Sequence, residues 1–186
     1  MTMTSLYVEL IIIGIQTSIW MVLIVANIIG VDALAGFLPL VSSVPFFTLL
    51  LGLFYIIGMV FDRFADWVYI NFENRIRHKY GFAGKMTSLI WQKIQLNDFI
   101  KYQRTRIRII RATSLNIMPI TVSLAALILQ FSCERLFLLA FTVFVGLGVF
   151  FIAFFSHRTL IEKYYDKARI IEQSEKQQGT VNMQAE

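Results

Sequence analysis

Lys101-Tyr-Gln-Arg104-Thr-Arg106-Ile-Arg108-Ile-Ile-Arg111 runs without a break into Ala112-Thr-Ser-Leu-Asn116-Ile-Met-Pro119-Ile-Thr-Val-Ser123-Leu-Ala-Ala-Leu-Ile-Leu-Gln130-Phe131. Five basic residues in eleven positions give way to twenty positions without a charge. About 20 apolar residues are what an α-helix needs to cross a hydrocarbon core of roughly 30 Å. Working outward, three more such stretches stand at 10–31, 44–61 and 136–155. The segment 62–111 carries eleven Lys and Arg, the tail after residue 155 carries five, and Arg135 alone lies elsewhere. With four spans, the middle segment, the tail and the N-terminus share one side, and the excess of Lys and Arg makes that side cytoplasmic. The reading is an all-α integral protein of the inner membrane with four transmembrane helices and both ends inside.

Composition supports this. Hydrophobic residues make up 57%, charged residues 16%, and mean hydropathy is +0.66, which excludes a soluble globular class. The net charge of +5 follows from positive-inside topology and does not require nucleic acid as a partner. The first apolar stretch lacks a basic leader and is too long for a signal peptide, so it is expected to stay as a span. A lone cysteine, Cys133, excludes an intrachain disulfide.

Four sections follow. Residues 1–61 hold spans one and two, joined by an outer loop at 31–44 containing Gly36, Pro39, Ser42 and Ser43. Pro45 suits the first turn of span two, where its missing N–H leaves nothing unpaired. Residues 62–111 read as a basic cytoplasmic helical hairpin, in which span two continues to Tyr80. Gly81 and Gly84 turn the chain, and a second helix runs from about Lys85 into span three. Residues 112–156 hold spans three and four. Residues 157–186 form a cytoplasmic tail whose polar end, 173–186, is expected to fray.

Polar residues line up within the spans. Glu9, Gln16 and Asn27 share a stripe of span one with Trp20, and Asn116, Ser123 and Gln130 recur every seven residues on span three. Lipid cannot satisfy such groups. They either hydrogen-bond between helices or line a hydrated path, within one bundle or on the axis of an oligomer. Glu9 is expected in the first helical turn, where the helix dipole favours a carboxylate. Pro119 inside span three frees the carbonyl of Leu115 and marks a candidate hinge beside Asn116.

At the cytoplasmic mouth stand Asp62, Arg63 and Asp66. The two carboxylates share a helical face, a geometry that serves a divalent cation or ion pairing with Arg63 and nearby arm residues. Gly58-x3-Asp62-x3-Asp66 resembles the second half of the signature of CDP-alcohol phosphotransferases. The first half has no counterpart, since 44–57 contains no charge, so an enzyme is not expected. Directly before span three, Lys101, Arg104, Arg108 and Arg111 fall on one helical face. They form a candidate site for anionic headgroups, a soluble anion or a partner protein. His78 and His157 lack the spacing of a zinc site, no nucleotide-binding or hydrolase motif occurs, and no metal or cofactor is expected.

The whole layout resembles the small four-span membrane components of bacterial antiviral defence systems, which pair membrane spans with charged cytoplasmic helices. The resemblance implies membrane perturbation on infection or docking of a cytoplasmic partner, and assigns no residue a role. The expected function is an oligomeric inner-membrane effector or channel-like protein, regulated through its cytoplasmic helices. A non-conducting anchor that recruits a partner protein is the alternative, and a small transporter the third reading.

Overall fold

The computed structural model describes residues 3–36, 39, 43–80, 98–131 and 136–184, and among them five helices have described bounds. They are α1 (Met3–Ile29), α2 (Val31–Ala35), α3 (Val44–Lys79), α4 (Asp98–Phe131) and α5 (Leu136–Gln184). The expected Gly81–Gly84 turn, the start of the second arm helix and the turn holding Cys133 and Arg135 lie outside the described residues.

Four of these helices, over Leu6–Ile29, Val44–Lys79, Tyr102–Gln130 and Leu136–Ile171, are long and apolar enough to cross a membrane. The chain is therefore an all-α protein built for multi-pass membrane insertion. At 1.5 Å per residue, α3, α4 and α5 measure about 54, 51 and 74 Å, well beyond the roughly 30 Å of hydrocarbon. Each carries its apolar stretch on into a charged extension. Span two does continue as one helix to Lys79, capped by Tyr80, and Pro45 sits in its first turn. Span four likewise runs on through the tail. Its last residues, expected to fray, are helical to Gln184, in keeping with the helix-forming Glu, Lys and Gln there.

Contacts set the directions. α1 and α4 are parallel, because the side-chain pairs joining them keep a nearly constant sequence separation, from Glu9–Thr105 to Asn27–Ser123. α3 opposes α1: Gly14 meets Phe54, and Gly58 meets Leu10. α5 runs alongside α3, pairing Phe72 with Phe154, Lys79 with Glu162 and Tyr80 with Tyr165. The α1–α3 crossing depends on glycine. A Cβ on Gly14 or Gly58 would run into the backbone carbonyl of Phe54 or Leu10, so the missing side chains let these helices touch backbone to backbone. Gly30, at φ 88°, makes the sharp exit from α1 into α2.

The interior is small and rich in polar groups alongside its apolar ones, and the exterior is apolar. Ser114, Asn116 and His157 rank with Ile13 as the largest fully buried side chains. Phe137, Phe144, Val44 and Trp67 stand outward. This inversion suits lipid, which offers large apolar side chains a home but leaves polar groups to find partners inside the protein. An aliphatic cluster of Ile76, Ile107, Leu160 and Ile161 ties the charged extensions of α3, α4 and α5 together.

Candidate functional site

The polar stripes of α1 and α4 face each other. The Gln16 amide donates to the Thr113 hydroxyl (3.1 Å), and Trp20 Nε1 donates to Asn116 Oδ1 (2.9 Å). The Asn27 amide donates to the Ser123 carbonyl (2.9 Å), and Gln130 donates to the carbonyl of Asn27 (3.1 Å). Ser123 contributes its backbone oxygen to this seam. Thr17, which the stripe reading passed over, brings its hydroxyl within 3.3 Å of Asn116 Oδ1. The six candidate path residues thus line one contact between two parallel helices, five of them bonded through their side chains, with Glu9 at its charged end. Pro119 sits in this stretch of α4, and the helix passes through it unbroken.

Below the seam, where the apolar stretches meet their charged extensions, ionisable groups from all four long helices converge. Arg108 grips Asp62 in two-point fashion, with Nη2 to Oδ2 at 2.6 Å and Nε to Oδ1 at 3.3 Å. This fork geometry gives the firmest guanidinium–carboxylate contact. Its Nη1 lies 3.6 Å from Glu9 Oε2, and the Thr105 hydroxyl donates to Glu9 Oε1 at 2.7 Å. Arg111 reaches three carboxylates along one face of α3: Asp62 (3.3 Å), Asp66 one turn on, and Glu73 two turns further (3.2 Å). From α5, His157 Nε2 comes within 3.4 Å of Glu73 Oε1. That approach lacks hydrogen-bond geometry, and neither ring nitrogen of His157 is hydrogen-bonded. Its fully buried ring packs on Tyr69 with centroids 4.6 Å apart. Ser114 donates to the Arg111 carbonyl (2.7 Å), so the 2.6 Å contact between Ser114 and Tyr69 is donated by the tyrosine.

Three expectations change. Glu9 is not in the first helical turn, because α1 begins at Met3. It is buried against α4, so side-chain partners hold it rather than the helix end. The four basic residues before span three do not form one outward face. The Arg111 side chain is 5% exposed and that of Arg108 26%, because carboxylates on the neighbouring helices draw them inward, while Arg104 stays exposed. The Lys101 side chain lies outside the described residues. Lastly, Asp62 and Asp66 pair with arm residues, as one of the two readings expected, but the partners are Arg108 and Arg111 of α4. Arg63 stands aside, its side chain 83% exposed, and reaches Asp66 only at 3.9 Å. Among the described residues no group of three His, Cys, Asp or Glu is placed to hold a metal ion.

Glu73, Thr105 and His157 were missed in the sequence. Glu73 had a signal, since it continues the Asp62–Asp66 stripe one heptad further. Thr105 and His157 had none, because their partners lie roughly a hundred residues away.

Beside this cluster opens a cavity of about 550 Å³, lined by Leu6 and Leu10 of α1, by Met59 and Asp66 of α3, by Arg104 and Arg111 of α4 and by Tyr164 of α5, among others. Compared with known protein families, with characterised proteins and with solved structures, the chain matches none.

Proposed function

We propose that this chain is a regulated, channel-like effector of the bacterial inner membrane, assembled as a homo-oligomer, with both termini in the cytoplasm. It carries out no catalysis of its own. The observation that supports this reading is the buried charge cluster joining α1, α3, α4 and α5. Ionisable groups at membrane depth are costly and mark function by default, and apolar packing would hold four helices together at no greater cost. The cluster acts as a clasp. With Arg108 and Arg111 docked on α3, α4 lies against α1 and the polar seam is sealed. A signal acting on the charged extensions, from a partner protein or an anion, shifts α4 away from α1 by its differential affinity for the two arrangements. The separated stripes then present Gln16, Asn27, Asn116 and Gln130 to a hydrated path. The distribution of Lys and Arg supports the orientation, and the resemblance to small four-span defence components supports a role in antiviral response.

A second reading, the non-conducting anchor, is favoured by the seam itself, whose polar groups bond to one another. Ion flux from liposomes separates the two. The effector reading expects tight vesicles with the wild type, leak with Arg108→Gln, and loss of that leak when Gln16→Leu and Asn27→Leu are added. Tight vesicles for every variant, with each still inserted and oligomeric, would leave the anchor standing. A monomer by mass measurement in lipid nanodiscs would sink the oligomer.

A further inference from the structure

The cavity beside the clasp has two unlike walls. On one side Leu6 and Met59, 37% and 42% exposed, face outward where α1 and α3 meet lipid. On the other side the lining carries four guanidiniums (Arg63, Arg104, Arg108 and Arg111) and three carboxylates (Asp62, Asp66 and Glu73), with Glu9 a fourth carboxylate on Arg108. The inner charges are committed. Arg108 and Arg111 hold the carboxylates, and Asp62 is gripped from both. The outer cations are not. Among the described residues Arg104 has no carboxylate within ion-pair distance, and Arg63 has one contact, at 3.9 Å, from a highly exposed side chain. Such a pair contributes little. Arg111, buried and lining the same cavity, keeps its Nε–H without an acceptor.

An apolar wall open to the bilayer, continuous with a rim on which Arg104 and Arg63 are not firmly paired, fits a molecule with an acyl chain and a single phosphate. A volume of about 550 Å³ is in the range of sites that enclose small organic ligands. It is large enough for a headgroup and the first part of a chain. We propose that the cavity holds one anionic phospholipid, its phosphate between Arg104 and Arg63 and its chain along Leu6 and Met59. The lipid sits against the clasp, so α3 and α4 are held together by a bilayer component as well as by their own ion pairs. This rests on the membrane placement that the proposed function also uses, and is independent of conduction.

The test is lipid retention by protein purified in a neutral detergent, read by native mass spectrometry with phosphatidylglycerol, phosphatidylcholine and chain-free glycerol phosphate as probes. One phosphatidylglycerol is expected per chain, with phosphatidylcholine and glycerol phosphate bound more weakly. Arg104→Gln is expected to weaken retention about fivefold and Arg104→Gln/Arg63→Gln about 25-fold. Both arginines are exposed, so these variants are expected to fold. Arg106→Gln, two residues along α4 and outside the cavity lining, is expected to retain lipid like the wild type. Equal loss in Arg106→Gln and Arg104→Gln, no retained phosphatidylglycerol, or glycerol phosphate bound as well as the lipid would each overturn the proposal. Retention that follows these variants while vesicles never leak would keep the site and remove the channel.

Discussion

Arg111 is the last charged residue before twenty uncharged ones, and its guanidinium touches Asp62, Asp66 and Glu73 while its side chain is 5% exposed. Removing one partner from a buried charge group strands the others, which costs about 3–5 kcal/mol where the site is dry. Arg111→Met is therefore expected to lower the unfolding midpoint in detergent sharply. Arg106→Met, at an exposed position on the same helix, is expected to stay within about 0.5 kcal/mol of wild type. Denaturant titration of the two variants checks the contrast, and equal stability would mean the cluster is hydrated enough to be energetically idle. For Asp62 and Arg108, the two-point contact predicts strong coupling. The double variant Asp62→Leu/Arg108→Leu should be more stable than the sum of the single losses implies, as a double-mutant cycle would read. At this scale the sequence was half legible. Asp62, Asp66, Arg108 and Arg111 stood out as charges beside apolar runs, but whether each faced lipid, water or one another depends on helix rotation, which spacing along one helix does not define.

The helices meet in two different ways. α1 and α3 touch through glycine, and α1 and α4 through hydrogen bonds. Gly14→Ala and Gly58→Ala both drive a methyl group into a backbone carbonyl, so each should push α1 from α3 and destabilise the bundle by about 1–3 kcal/mol. Gly52 and Gly148 have open space where a Cβ would go. There, alanine should be neutral, or stabilising by up to about 1 kcal/mol through helix propensity. Thermal melts of the four variants check this, and a uniform response would count against the α1–α3 register. Gln16→Leu is expected to lose only about 0.6 kcal/mol, the usual worth of one interhelical hydrogen bond in a membrane. Helix existence and extent were legible from apolar length and the absence of breakers, down to Pro45 and the run to Tyr80. Packing partners were not, since the glycines that matter and those that do not look alike in sequence.

For the whole molecule, the bundle places the N-terminal end of α1 and the charged ends of α3, α4 and α5 together, with the C-terminal ends of α1 and α4 and the N-terminal ends of α3 and α5 opposite. If the charged end is cytoplasmic, the sole cysteine, Cys133, should react with a membrane-impermeant maleimide from outside. A cysteine introduced at Gln177 in a Cys133→Ser background should react only in inverted vesicles. The reverse pattern would turn the protein over and move the clasp and cavity to the outer face.

Sequence alone determined the number of helices long and apolar enough to span, because apolar length and charge exclusion are properties of a chain against a solvent. It also listed most of the polar and charged residues that the site uses. Tertiary structure decided what they are for one another. It turned two stripes into one seam, drew Arg108 and Arg111 inward, brought Glu73 and His157 to them, and left Arg104 exposed at the rim of a cavity. Those outcomes depend on the rotation and register of helices separated by scores of residues, set by close packing at Gly14 and Gly58 and by the pairing of buried charges.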